Sequence, residues 1–209
     1  MIVSGGSSNN QIGGTGAGEG NVIAFNNDNG VEVRDFASVD NAILGNSIYS
    51  NTLLGIDLGG SGVTNNDAGD SDNGSSNNLQ NFPLLTSAET NGSQIDISGS
   101  LNSIPNSFFR IEFFASTGGS DQTYLGYANV ATDGSGNATV STILVASVAD
   151  GALITATATK SDATYTSFTD TSEFAANIAA TAVNDAPVLD TAGNFTFNTI
   201  TEDQADNAG

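Results

Sequence analysis

Three observations predict an all-β chain: a short parallel solenoid, then an antiparallel β-sandwich, then a partial third β module. A strand-like motif recurs at a 25-residue offset near the N-terminus. Period-2 alternation replaces it from residue 82. Glycine, asparagine, serine and threonine fill the intervals, as short strands and tight turns require.

The first element is announced by NAILGNSIYSN at 41–51, where Asn41, Asn46 and Asn51 stand five residues apart and Ile43 and Ile48 follow two of them at the same offset. Five fits neither the helical nor the strand period. NVIAFNNDNGVEV at 21–33 aligns with NSIYSNTLLGIDL at 46–58. Asn21 matches Asn46, Ile23 matches Ile48, Asn26 matches Asn51, Gly30 matches Gly55, Val31 matches Ile56 and Val33 matches Leu58. NNQIGG at 9–14 repeats the N-x-I fragment of NAILGN at 41–46. A strand-built period of this length is one coil of a solenoid. The apolar residues of each coil then stack on their counterparts one coil away. Asparagine suits the corners through its tolerance of the left-handed region, and stacked amides can bond one another in a ladder. Gly30 and Gly55 are expected where a corner needs positive φ. The competing reading is two unrelated hairpins. Residues 59–81, GGSGVTNNDAGDSDNGSSNNLQN, lack apolar periodicity and read as a polar loop closing a first unit, 1–81.

The second unit, 82–180, alternates. QIDISGSL places Ile95, Ile97 and Leu101 on one face; SFFRIEFFA places Phe109, Ile111 and Phe113 on one face and Arg110 and Glu112 on the other. Turn dipeptides fall at 91–92, 133–134 and 150–151. About seven short strands in about 95 residues point to an antiparallel sandwich. The third unit, 181–209, opens with AVNDAPVLD at 182–190 and is too short for a sandwich of its own.

These residues carry a resemblance. IGGTGAGEGNVIAFNNDNGVEV, with NSIYSNTLLGIDLGGSGVTNNDAGDSDNGSSNNLQNFPLL, resembles the last coils of right-handed parallel β-helix regions in large secreted bacterial proteins. Such regions have more coils, so the resemblance implies a chain that begins inside a longer β-helix. FRIEFFAS and ITATATKSDATYTSFTDTSEFA resemble the immunoglobulin-like module that often follows. AVNDAPVLD is similar to the junction that opens bacterial cadherin-like repeats, and FTFNTITEDQADNAG to the first strands of one.

Composition bounds the chemistry. Three basic residues stand against 23 acidic ones, a formal charge of −20, which offers no electrostatic footprint for nucleic acid or anionic membrane and favours cations. The longest apolar stretch, ILVASVA at 143–149, is too short to span a bilayer, and the N-terminus shows no signal-peptide pattern. With no histidine and no cysteine there is no imidazole base, thiolate nucleophile or disulfide. The three cations, Arg34, Arg110 and Lys160, are scattered. Glu32 and Arg34, with Asp35 beside them, read as an exposed charge pair on a strand, not a catalytic set. GGTGAGEG at 13–20 lacks the spacing of a phosphate loop and reads as a solenoid corner. No enzymatic activity is expected.

Calcium is the sharper candidate. Asp67, Asp70 and Asp72, set among Asn65, Asn66 and Asn73, offer hard oxygens at alternating spacing. Gly74 interrupts an EF-hand pattern, and Thr64 interrupts a glycine-rich calcium repeat, so a solvated acidic loop is an equal reading. At the junction, the cadherin-like resemblance implies calcium ligands at Asn184 and Asp185 and at Glu202 and Asp203. Asp170 and Glu173 are available to add oxygens. Ala182 stands where the family has the first aspartate; the alternative is a linker stiffened by Pro187.

The expected function is a structural and adhesive stalk segment of a large extracellular or surface-attached bacterial protein, stiffened by Ca²⁺. Its partners would be neighbouring modules and a cell-surface protein or glycan. The alternative is a carbohydrate-binding or carbohydrate-processing β-helix protein with its active coils upstream. The absence of tryptophan weighs against a sugar-stacking platform.

Overall fold

The computed structural model describes residues 1–60, 62–118 and 121–183. The described residues are all-β, in several sheets.

The first sixty residues build three narrow parallel sheets. Strands β1 (Ile2–Val3), β2 (Gln11–Gly13) and β3 (Val22–Ala24) form a first layer. Strands β4 (Val31–Val33), β5 (Ala42–Leu44) and β6 (Ser47–Tyr49) form a second, and β7 (Ile56–Leu58) opens a third. The pairings β1–β4–β7, β2–β5 and β3–β6 are all parallel. The 25-residue offset is the register that forms: Ile23 lies beside Ile48, Val31 beside Ile56 and Val33 beside Leu58. Ile12 lies beside Ile43, as the shared N-x-I fragment predicts. Val31, Val33, Ile43, Ile48, Ile56 and Leu58 make one buried core inside this stack.

Asparagines tie the layers together. Asn41 Oδ1 accepts from Asn10 Nδ2 at 2.8 Å, Asn46 Oδ1 from Asn21 Nδ2 at 2.9 Å, and Asn51 Oδ1 from Asn26 Nδ2 at 2.7 Å. Each of these oxygens also takes the backbone N–H of the same first-layer asparagine. The corner conformation differs from the expectation. Positive φ falls on the residue before the asparagine, at Asn9, Phe25, Asp40, Gly45 and Ser50, which leaves the asparagine side chain free to bridge layers. Gly30 and Gly55 likewise do not have positive φ. Their role is close approach: a Cβ on Gly30 would sit 2.6 Å from Gly55 O and from Ile48 Cγ2.

From residue 84 the chain forms two sheets. One contains β10 (Phe108–Ser116), β11 (Thr123–Ala131), β13 (Leu153–Ser161) and β14 (Phe168–Thr171), in the order β11-β10-β13-β14, with β15 (Ile178–Ala179) beside β13. The other has the order β12-β9-β8-β16, from β8 (Leu84–Thr90), β9 (Ile95–Asn102), β12 (Asn137–Leu144) and β16 (Thr181–Ala182). All pairs are antiparallel except β16 with β8. Ile95, Ile97, Leu101, Phe109, Ile111 and Phe113 are buried together between the sheets, as their alternation predicts. The opposite face of β10 and β13 is buried as well: Arg110, Glu112, Phe114, Thr155, Thr157 and Thr159 all lie within it. That face lies against the parallel stack.

Candidate functional site: the joint between stack and sheets

A parallel layer with no further layer below it leaves a row of backbone N–H groups without carbonyl partners, and burying such groups unpaired costs about 1–3 kcal/mol each. Here side chains from farther along the chain supply the acceptors. Asp170 Oδ1 accepts Asp40 N–H at 2.7 Å, and Asn77 Oδ1 accepts Asn41 N–H at 3.0 Å. Thr171 Oγ1 accepts Ile43 N–H at 2.8 Å, and Glu112 Oε2 accepts Gly45 N–H at 2.7 Å. Gln122 Oε1 accepts Ile48 N–H at 2.8 Å, and Glu173 Oε1 accepts Leu58 N–H at 2.9 Å.

Each acceptor is positioned by its own element. Glu112 projects from β10 away from the sheet core, because the alternation that buries Ile111 and Phe113 turns residue 112 the other way. Thr171 ends β14, and its Oγ1 also meets Thr159 Oγ1 at 2.9 Å. Asn77 stands in the short 3-10 turn Ser76–Leu79 with left-handed φ of 51° and donates Nδ2 to Asn41 O at 2.7 Å. It thus takes the place a third-layer ladder asparagine would hold. Phe174 plugs the apolar middle. It packs on the stack core and meets Phe114 edge-on at 5.5 Å between centroids. A Cβ on Gly55 would fall 2.7 Å from its ring, so the joint requires glycine there.

The charges are those of a buried joint. Glu112 is fully buried and pairs through Oε1 with Arg110 Nε at 2.9 Å. Arg110 is held further by Tyr124 Oη at 3.0 Å, and its guanidinium carbon lies 3.5 Å from the Tyr127 ring centroid. Burial pushes the Glu112 carboxyl up, opposed by the Gly45 N–H and Arg110. Burial likewise raises Asp170 and Glu173 against their backbone donors, and takes the Tyr124 hydroxyl to about 12.

The residues proposed for calcium fall into two sets. Asn184, Asp185, Glu202 and Asp203 lie outside the described residues. Asp67, Asp70 and Asp72 do not converge. Asp70 is buried and its oxygens are engaged: Oδ2 accepts Gln80 Nε2 at 2.6 Å and the Ser103 hydroxyl, and Oδ1 accepts Asn81 N–H at 3.2 Å. Burial pushes its pKa up to about 6. Asp67 Oδ2 takes the Ser71 hydroxyl at 2.8 Å, while its Oδ1 is buried without a donor. Asp72 is exposed. Among the described residues no three acidic side chains gather around a common point that could hold a metal ion. The segment is not a wholly solvated loop, since Asp70, Asn77, Gln80 and Asn81 are all buried. Asp170 and Glu173, the possible extra calcium ligands, are spent on Asp40, Asn78, Leu58 and Thr64. Glu32 is buried rather than exposed and pairs with Arg34.

The sequence reading missed Glu112, Gln122, Thr171 and Asn77 as joint residues. The one available signal was the polar alternation of β10 beside a unit ending in an unpaired layer. Compared with known proteins, the chain matches no family model and no curated protein.

Proposed function

We propose that this chain is a structural, non-catalytic segment of a large extracellular bacterial protein. In this reading the stack is the end of a parallel β-helix, the two-sheet region is an immunoglobulin-like module that closes it, and together they act as a stiff stalk section. The stalk would hold an adhesive surface toward a cell-surface protein or glycan. The observation that carries the reading is the set of six backbone N–H groups at the end of the stack, each received by a side chain from the linking segment or the two-sheet region. A joint built this way resists bending because bending exposes buried acceptors and the Phe174 plug together. Calcium stiffening is part of this reading, at Asp67, Asp70 and Asp72 and at the pairs Asn184–Asp185 and Glu202–Asp203.

The chain has no cysteine, so paired spin labels can be placed cleanly at Val22→Cys and Ile143→Cys, both exposed positions on opposite regions. A narrow interlabel distance distribution, unchanged in EDTA, supports the stiff joint. A broad distribution contradicts it, and broadening only in EDTA assigns calcium to the Asp67–Asp72 segment.

A groove of about 420 Å³ at the joint favours a second reading. It is lined by Tyr49, Asn51, Phe82, Asp121, Gln122 and Phe174, a mixture of rings and amides that suits a glycan. Saturable binding on a glycan array, lost in Tyr49→Ala, would favour it.

A further inference from the structure

The two ends of the stack differ. The far end is closed by side chains, as described above. At the near end, among the described residues, β1, β2 and β3 each pair on one edge only. The second layer takes the carbonyls of Met1, Val3, Asn10 and Asn21, so strand alternation turns the peptide groups of Ile2, Gln11 and Val22 to the open side. Apolar residues there are exposed: Ile2 is 55% exposed, Val22 70% and Phe25 74%, the last with an edge-on contact to Tyr49.

The ladder says what this edge takes. A second-layer asparagine turns its whole amide toward the layer before it. Oδ1 receives the first-layer asparagine, and Nδ2 reaches Ser7 O from Asn41, Ile12 O from Asn46 and Ile23 O from Asn51. Asn10, Asn21 and Asn26 carry the same side chain at the same corners, and among the described residues no donor reaches their Oδ1 atoms. They match a preceding layer that offers three backbone N–H groups and three amides from corner asparagines.

Resting on the β-helix reading above, we infer that this open edge is an interaction surface for one further solenoid coil. That coil runs parallel and carries asparagine at its corners. A second copy of the chain does not meet these terms. Its far end is covered by the two-sheet region, and its near edge would arrive antiparallel, with acceptor facing acceptor. Register supplies a probe. Met1 lies level with Val31, and Val31 with Ile56, so residues 31–55 placed ahead of Met1 join the stack without a linker.

The test fuses a second copy of residues 31–55 ahead of Met1, with a scrambled coil of the same composition as control, and measures amide hydrogen exchange and melting. Protection of the Gln11 and Val22 amides and a rise of several degrees in Tm, absent from the scrambled fusion, is the expected result. No new protection, or equal protection by the scrambled coil, overturns the inference. The Gly45 and Leu58 amides separate the two claims. If they stay protected while Gln11 and Val22 do not, the open-edge inference fails alone; if they too exchange freely, the stalk reading falls with it. Sedimentation of the unfused chain as a dimer that Val22→Lys dissolves would assign the edge to a second copy and overturn the inference.

Discussion

Glu112 Oε2 receives the Gly45 N–H at 2.7 Å across 67 residues of chain, while its other oxygen holds Arg110 Nε at 2.9 Å. One buried carboxylate therefore closes a backbone edge in one region and neutralises a buried cation in the other. Removing it strands both partners. Glu112→Ala is expected to cost about 3–5 kcal/mol in urea unfolding, in line with breaking one partner of a buried pair. The double variant Arg110→Ala with Glu112→Ala should cost clearly less than the sum of the singles. Simple additivity would mean the pair is not coupled.

The ladder makes a graded prediction. Asn46 is buried and bridges Asn21 and Ile12 O, whereas the Asn26–Asn51 rung is exposed. Asn46→Ala should cost about 2–4 kcal/mol, since it leaves the buried Ile12 carbonyl and the part-buried Asn21 donors unmatched. Asn51→Ala should cost less. Equal losses at the two rungs would show that burial of the amide is not the source of its contribution.

Glycine substitutions separate crowding from conformation. Gly55→Ala would place a Cβ 2.7 Å from Phe174, and its φ is unremarkable for alanine. The expected loss is about 1–3 kcal/mol from overpacking. Combining it with Phe174→Leu should recover part of that loss in thermal melts, which a purely backbone effect would not allow.

Stability should fall as pH rises through the mildly acidic range. Burial raises Asp70 to about 6, and raises Glu112, Asp170 and Glu173 in the same direction. A carboxyl raised on folding binds its proton more tightly in the folded state. Its contribution is complete below its unfolded value, near 4, and is lost as pH passes the folded value. For Asp70 that window runs from about 4 to about 6 and is worth up to ~3 kcal/mol. Tm should therefore be higher at pH 5 than at pH 7.5, and Asp70→Asn should flatten the difference. A Tm that climbs with pH would contradict the burial argument.

Much of the stack was legible because its information is local and repeated. The 25-residue offset pairs Ile23 with Ile48 and Val31 with Ile56, and the structure forms those pairs. The inward residues of β9 and β10 followed from alternation. The joint was not legible in the same way. Arg110 and Glu112 alternate with core residues as a solvent face would, and nothing nearby marks the 67-residue reach to Gly45. Asp67, Asp70 and Asp72 have ligand-like spacing, and that spacing does not announce that Asp70 turns inward to Gln80 and Ser103. The corner glycines were read for their backbone freedom, when it is the absent Cβ that matters at Gly30 and Gly55.

The central claim is that the two-sheet region completes the stack, so that the two open together. Native-state hydrogen exchange at Ile43, Gly45 and Leu58 tests it most directly. The account predicts that these amides exchange with the same opening free energy as Ile111 in the sheet core, and that Glu112→Ala releases Gly45 first. Exchange of all three at the rate of exposed loop amides in the unaltered chain would contradict it.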